Sequence, residues 1–269
     1  MVVGEVQISA LPDALGDLGE FDELFPTTTD WDAYREAYPS SFNGSRFRFP
    51  VVTYLLRSGG RNVLVDTGAG PRGLWDEWDP ERAAELPDAL AAQGAEPEEV
   101  DVVFFTHLHI DHVGWNTDDH GRPFFPNARY VVHRDALAFA RGEGRRTHTP
   151  RTIDPIEFEE LDGEAELAPG ITTTPLPGHY PGHMGVRIRR LGGGGEAFVL
   201  GDAAAHPMLF DRPADTFASD VDEAGSIQTR ERLLPELVDT GVLVLCGHFP
   251  DGGIGRLLRR DGRVLWTAV

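Results

Sequence analysis

The stretch FFTHLHIDHVGW, residues 104–115, places three histidines and an aspartate within six positions. It begins at the end of the apolar run DVVFF, which predicts a buried strand opening into a loop. Side chains two apart in an extended segment point to the same side, so His107 and His109 can face one cation. Asp111 and His112 follow in a tight loop and can serve a second cation. Imidazole and carboxylate suit zinc and similar divalent metals, so the stretch predicts a metal site.

The composition is that of an ordinary globular chain with a large acidic excess. The 269 residues are 41% hydrophobic and 25% charged, which favours one domain over residues 1–269. The formal net charge of −20 repels polyanions, so we expect no nucleic-acid partner and no membrane partner. The one cysteine, Cys246, excludes an internal disulfide and is expected to fill space on an apolar strand. We see no signal-peptide or membrane-span pattern, and these features together favour a cytoplasmic location.

Strand and helix patterns alternate along the chain. Residues 1–45 begin strand-like and become acidic and proline-punctuated, which suggests an N-terminal extension or lid packed on the domain. Two β-rich runs around a Ser-Gly-Gly turn predict a hairpin that ends at Asp66. Helices are expected over residues 80–93, 134–141 and 226–239. Further strands are expected in ARYVVH, ITTTPLPG, MGVRIRR, EAFVLGD and VLVLCGH, which are residues 128–133, 171–178, 184–190, 196–202 and 242–248.

Four more landmarks accompany the histidine stretch, each at the end of a predicted strand. They are LVDTG with Asp66, PLPGHYPGH with His179, VLGD with Asp202 and LCGHF with His248. Together with HLHIDH, these motifs make residues 51–249 resemble the metallo-β-lactamase superfamily, whose signature is His-x-His-x-Asp-His. The resemblance implies an α/β (α+β) fold, a four-layer αβ/βα sandwich of two mixed sheets with flanking helices. It also implies a dinuclear metal site at one edge, between the sheets.

The resemblance assigns the ligands position by position. It implies a first metal on His107, His109 and His179, a second on Asp111, His112 and His248, and a bridge formed by Asp202 with a hydroxide. Asp66 is expected to be a hydrogen-bond partner of a ligand, and so is His183, because one ligand suffices in the turn that His179 and His183 share. The cofactors are then two divalent ions, with Zn²⁺ favoured and iron, manganese or cobalt as alternatives.

Paired cations imply hydrolysis. They convert a shared water to hydroxide near neutral pH and polarise an acyl or phosphoryl oxygen. Asp111 and Asp202 are the predicted catalytic residues, and the proton could pass through Asp111 or through a metal-bound water. The predicted substrate pocket includes His206, Trp75, Trp115 and Tyr180, which lie in loops or beside the motifs.

Differences from other branches of the superfamily narrow the range of expected substrates. Oxygen-reducing di-iron members typically carry glutamate where this chain has His109, and di-zinc β-lactamases commonly carry cysteine where it has Asp202. RNA-processing members must attract a polyanion, which the acidic charge of this chain opposes. Glyoxalase-II-like thioesterases carry an extra helical substrate domain, for which little of this sequence remains after His248. The chain instead resembles the lactonase and methyl-parathion-hydrolase-like branch, which includes N-acyl homoserine lactonases. Ala205 departs from those lactonases, which usually have tyrosine there. A neutral or weakly charged ester or lactone is the expected substrate.

Two other functions stay open at this point. A phosphotriesterase would use the same hydroxide against phosphorus. A non-catalytic metal-binding scaffold would keep the ligands without turnover. A homodimer whose interface involves residues 1–45 and the loop that contains Trp75 and Trp78 is a further hypothesis.

Overall fold

Strand pairing divides the β-structure into two sheets. The computed structural model of the protein describes residues 1–74, 80–143, 150–189 and 195–269. The first sheet contains β1 Val2–Val3, β2 Val6–Glu20, β3 Phe42–Asn43, β4 Arg46–Ser58, β5 Arg61–Val65, β6 Val102–Phe104, β7 Arg129–His133 and β8 Phe158–Leu161. The second contains β9 Glu166–Ala168, β10 Ile171–Pro175, β11 Met184–Arg189, β12 Glu196–Val199, β13 Leu243–Leu245, β14 Ile254–Arg260 and β15 Arg263–Ala268.

Both sheets are mixed. The first runs β1-β2-β4-β5-β6-β7-β8 with β3 beside β4, and its strands from β5 to β8 are parallel. The second runs β15-β14-β13-β12-β11-β10-β9, and only the β12–β13 pair is parallel. The α-helices of the described residues are α1 Phe21–Leu24, α2 Trp31–Ala37, α3 Leu86–Ala92, α4 Arg134–Arg141, α5 Pro150–Ile153, α6 Met208–Asp211 and α7 Glu223–Leu237. In the described part of the chain, no helix has the length and apolarity of a membrane span.

Alternating side chains in the central strands build three layers of core. Val63 and Val65 on β5 pack with Val199 on β12 between the two sheets. Leu64 lies on the opposite face of β5, in a cluster shared with α3 and α4. Phe198 lies on the opposite face of β12, in a cluster shared with α6 and α7. The result is the expected four-layer αβ/βα sandwich, with helices outside two facing sheets.

The predicted landmarks follow strands that lie side by side. Asp66 follows β5 and the histidine stretch follows β6, and these strands are parallel neighbours. Asp202 follows β12 and His248 follows β13, which form the parallel pair of the second sheet. Because the carboxyl ends of parallel neighbours meet at one sheet edge, the four segments converge.

The predicted extension over residues 1–45 needs correction, because much of it is a strand of the first sheet. β2 pairs with β4 from Gln7 opposite Arg57 to Glu20 opposite Arg46. Ile8 is fully buried in the core between the sheets. Residues from α1 onward pack on the second sheet's outer cluster, where the Tyr34 hydroxyl donates to Asp211 at 2.9 Å. β2 is therefore part of the first sheet and of the core between the sheets.

The helix predicted over residues 80–93 is shorter than expected. Arg82 and Leu15 form a β-bridge with two backbone hydrogen bonds of 2.9 and 3.0 Å, and Ala84 has a positive φ of 63°. Neither is compatible with a helix, so α3 begins only at Leu86. The helix predicted from residue 226 begins three residues earlier, because the Asp222 side chain caps the Gly225 amide.

Substitution at Ile8 tests whether β2 belongs to the domain. We expect Ile8→Ala to lower the free energy of unfolding by about 2–5 kcal/mol, because a fully buried side chain is lost from the central core. Gln7→Ala on the exposed face of the same strand should change it by less than about 0.5 kcal/mol. Urea denaturation measures both values, and equally small losses would show that residues 1–45 are dispensable to the fold.

Candidate metal centre

Three imidazoles and a carboxylate form the first ligand group, His107, His109, His179 and Asp202. One ligand atom from each lies within 4.8 Å of the others. His109 Nδ1 is 2.9 Å from His107 Nε2 and 3.0 Å from His179 Nε2. Three imidazole nitrogens thus point at one small volume from two different sheets.

Asp111, His112 and His248 form the second ligand group. Asp111 Oδ2 is 3.3 Å from His112 Nε2 and 3.3 Å from His248 Nε2. Asp111 and His112 belong to a 3₁₀ turn, residues 110–112, so that the chain reverses immediately after His109. The turn is what lets one short segment supply ligands to both groups.

Asp202 lies between the groups with one carboxylate oxygen toward each. Its Oδ2 is 3.4 Å from His179 Nε2 and 4.0 Å from His107 Nε2. Its Oδ1 is 3.4 Å from His112 Nε2 and 3.1 Å from His248 Nε2. This is the arrangement that a bridging carboxylate needs.

Buried polar atoms without a hydrogen-bond partner indicate whether these residues fit metal ions. Asp111 Oδ2, His112 Nε2, Asp202 Oδ1 and His248 Nε2 are buried and have no hydrogen-bond partner among the described residues. Leaving one such atom unsatisfied costs about 1–3 kcal/mol. All four belong to the ligand groups, and imidazole nitrogen with carboxylate oxygen is a donor set for divalent cations. The residues therefore fit a dinuclear divalent metal site.

Burial and charge set the protonation of the ligands. Burial holds the pKa of His107 well below its ordinary value, and the neighbouring His112 adds to the effect. Burial raises the pKa of Asp202, but His248 and His112 outweigh it and hold that pKa well below its usual range. Burial lowers the pKa of His112, yet the carboxylates, Asp111 foremost, raise it overall. A cation entering the second group would displace protons held there.

Each ligand histidine with a described partner on its other nitrogen is fixed in orientation. The Nδ1–H of His112 donates to Asp66 at 2.9 Å, and that of His248 donates to the Pro50 carbonyl at 2.8 Å. His107 Nδ1 lies 3.1 Å from the Thr106 hydroxyl. These contacts aim the opposite Nε2 atoms into the two groups.

Asp66 connects the two groups. Its Oδ1 accepts from the Thr106 amide and its Oδ2 from the Thr106 hydroxyl, both at 2.8 Å. Because the hydroxyl donates to Asp66, it accepts from His107, and the carboxylate thus reaches one ligand in each group. The structure places Asp66 beside the ligands and not among them.

His183 supports Asp202 through the backbone. Its Nδ1–H donates to the Leu176 carbonyl at 2.9 Å, and its Nε2 accepts from the Asp202 amide at 2.9 Å. Both ring nitrogens are thus occupied, while the neighbouring His179 points its Nε2 at the first group. The His183 ring lies so close to the backbone at position 201 that a Cβ atom there would be 2.6 Å from His183 Nε2. This explains why residue 201 is glycine.

Sequence patterns did not reveal Asp220 and Arg230. Asp220 Oδ1 is 2.9 Å from His179 Nδ1, and its Oδ2 accepts from Arg230 Nη1 at 3.3 Å. Arg230 is fully buried and also donates to the carbonyls of Pro213 and Asp215. The one available signal was an arginine inside the predicted helix, and nothing in the sequence indicates its partner.

The predicted substrate-pocket residues that the structure describes lie in different surroundings. His206 is fully buried among phenylalanine and tyrosine rings of the N-terminal segment, and burial lowers its pKa to about 3. Trp115 donates its indole N–H to Asp13 at 2.9 Å, and Tyr180 is buried against the ring of His109 at 4.9 Å. In this conformation, packing occupies His206 and Trp115. Trp75 lies outside the described residues.

Replacing the carboxylate behind His179 should weaken metal binding at the first group. We expect Asp220→Asn to raise the dissociation constant of one ion by about tenfold, because a neutral amide holds the imidazole less firmly than a carboxylate and sets its NH₂ group against the Arg230 guanidinium. Titration of the metal-free protein against a chromophoric chelator measures this. Asp222→Asn is the matched control, since Asp222 lies two residues from Asp220 and caps the Gly225 amide instead of contacting a ligand. Indistinguishable dissociation constants for the two variants would contradict the prediction.

Metal removal should destabilise the fold, because ligands from both sheets lose a common partner. At a free cation concentration 100 times the dissociation constant, the folded state gains about 2.7 kcal/mol, which corresponds to roughly 5–10 °C in Tm. Differential scanning calorimetry with and without a chelator measures the difference. His248→Ala should reduce this difference, and a Tm independent of metal in the unaltered protein would refute the site.

Comparison with known proteins agrees with the geometry. A family model described as the metallo-beta-lactamase superfamily matches residues 46–248. N-acyl homoserine lactonase AttM of Azorhizobium caulinodans is 31% identical over 238 residues, which cover 78% of this chain and 85% of that protein. N-acyl homoserine lactonase AiiB of Agrobacterium fabrum is 29% identical over 168 residues, 52% of this chain and 58% of that protein.

Among solved structures, AidC, a dizinc quorum-quenching lactonase in complex with its product, shares the fold. The two chains superpose with a TM-score of 0.83 over 100% of this chain and 96% of AidC, at 20% sequence identity. The family match spans the whole segment from β4 to His248, including every ligand of both groups. The chain belongs to the metallo-beta-lactamase superfamily.

Proposed function

We propose that this chain is a dinuclear metal hydrolase that opens the ring of N-acyl homoserine lactones. The observation that carries the proposal is the Asp202 carboxylate, which spans two groups of buried ligand atoms. Support for the substrate comes from the relatives in Azorhizobium and Agrobacterium, which are N-acyl homoserine lactonases.

The bound ions would supply a water acidic enough to ionise near neutral pH and a Lewis acid for the acyl oxygen. The chain's own residues would hold and orient the ligands. Asp202 holds the two groups at a fixed separation, and Asp66 and Asp220 keep the imidazoles aimed inward. Water adds across the acyl C–O bond, the ring oxygen leaves, and it ends as a hydroxyl group. We assign the transfer of the proton to Asp111, whose carboxylate would take it from the attacking water and pass it to the departing ring oxygen.

Apolar side chains around the ligands favour an acyl substrate. Phe49 stacks on the His248 ring at 3.9 Å, and Phe217 lies parallel to the His179 ring at 6.0 Å. The Val221 amide donates to the His179 carbonyl at 3.1 Å, and the Val221 side chain is 54% exposed. These apolar groups lie beside ligands of both metal groups, where an acyl chain could pack.

Zinc is the metal we propose, because five imidazoles and two carboxylates match its preferred donors. The position that carries tyrosine in the lactonases is Ala205, which is fully buried, so no phenol hydroxyl is supplied there. A cytoplasmic location, a homodimer and the lack of a nucleic-acid partner remain predictions from the sequence.

A substrate panel tests the proposed function. Protein reconstituted separately with zinc, manganese, iron and cobalt should open N-hexanoyl homoserine lactone with a kcat/KM about a hundredfold above that for an aryl phosphotriester, a difference of about 2.7 kcal/mol in transition-state stabilisation. An aryl carboxylic ester should fall between them. His109→Ala should abolish turnover, whereas His120→Ala, on the exposed surface, should not change it.

The panel also separates the alternatives. A faster phosphotriester reaction would establish the phosphotriesterase instead. Two bound ions without turnover of any substrate would establish a metal-binding scaffold, and either result would overturn the lactonase proposal.

A further inference from the structure

We infer that Asp13 is a positioning residue for the second ligand group, acting through the two loops that carry Asp66, Asp111 and His112. The inference rests on the two-metal site of the proposed function. Asp13 lies on β2, in the segment that sequence patterns had assigned to an extension. It is fully buried, which is unusual for an aspartate that is not a metal ligand.

Four donors converge on the Asp13 carboxylate. Its Oδ2 accepts from the amides of Ala69 at 2.7 Å and Gly70 at 3.0 Å. Its Oδ1 accepts from the Leu86 amide at 3.0 Å and the Trp115 indole at 2.9 Å. Three of these donors belong to the loop after β5 and to the loop after β6. One carboxylate therefore ties both loops to β2.

A β-bulge puts Asp13 in this position. The register with β4 shifts between Pro12, opposite Val52, and Ala14, opposite Val51, so Asp13 is the extra residue. Bulges re-aim a side chain and commonly occur beside active sites. Without the bulge, the Asp13 side chain would follow the regular alternation of β2 side chains between the two faces of the sheet.

The two loops are also bonded directly to each other. The Thr67 amide donates to the His112 carbonyl at 2.8 Å, and the Trp115 amide donates to the Thr67 carbonyl at 3.1 Å. The loops approach so closely at Gly114 that a Cβ atom there would lie 2.0 Å from the Ala69 carbonyl carbon. A shift in one loop must therefore move the other, and His112 with it.

The first group is anchored elsewhere, so it should depend less on Asp13. The segment before His107 is fixed by the Phe105 amide, which donates to Val131, and by the Met184 amide, which donates to Thr106. His179 is held by Asp220 on the far side of the site. Asp13 thus acts mainly on the second group.

Asparagine at position 13 should disturb this arrangement without changing its size. In either orientation of the amide, the NH₂ group faces two N–H donors, so two of four hydrogen bonds are lost and two donors oppose it. Trp115→Phe is the milder change, because it removes one donor and leaves the three backbone bonds intact.

Stepwise metal binding tests the inference without reference to turnover. Metal-free protein is titrated with Zn²⁺ against a chromophoric chelator, and with Co²⁺ while the visible absorption of the bound ion is recorded. We expect Asp13→Asn to weaken the second-group step by at least about tenfold and the first-group step by less than about threefold. Asp220→Asn identifies which step belongs to the first group.

The matched control is Asp17→Asn, a partly exposed carboxylate on the same strand that binds Asn43 and Arg46. It should leave both steps unchanged. Equal weakening of both steps by Asp13→Asn, or no weakening, would overturn the inference. If Asp13→Asn does not fold, Trp115→Phe decides: a second-group step weaker by about threefold supports the inference, and an unchanged step overturns it. If the unaltered protein binds both ions but does not turn over lactones, the result counts against the proposed function and not against the role of Asp13.

Discussion

The constraint on which this structure depends is the burial of polar ligand atoms, several of which have no hydrogen-bond partner among the described residues. Asp202 and His248 each keep a buried atom without a hydrogen-bond partner among the described residues, and so do Asp111 and His112. Packed protein avoids such atoms because each costs about 1–3 kcal/mol. Their presence in one cluster means that the fold is arranged around ions, and the remaining contacts at this edge are best understood as keeping that cluster in place.

Most of those supporting contacts use backbone or buried carboxylates. His248 is held by a carbonyl of β4, and Asp202 is held by the imidazole of His183 acting on its amide. Asp66 and Asp220 each orient an imidazole, and a buried guanidinium balances the charge of Asp220. Partners of this kind restrict the rotamers of the ligands and orient them toward the two groups.

The site was more predictable from the sequence than its supports, for a physical reason. Ligands occur at short fixed spacings or directly after apolar strands, so HLHIDH and the ends of β10, β12 and β13 stand out. Asp220 and Asp13 have no such local signature, because their partners lie on distant segments. The same holds for β2, whose bulge and acidic flank hide a strand that pairs along almost its whole length. The pocket role of Trp115 stays a prediction, because an indole in a loop suits a pocket and a buried hydrogen bond equally well.

The distribution of ligands between the sheets also indicates how metal binding would stabilise the packing of the two sheets. His107 and His109 come from the first sheet, while His179 comes from the second, and the second group repeats this division with Asp111 and His248. An ion bound at either group would therefore be held by residues from both halves of the sandwich. Because a cation binds the assembled groups and not separated sheets, its binding free energy adds to the packing between them. Catalytic geometry and the cohesion of the two sheets are consequently stabilised by the same contacts.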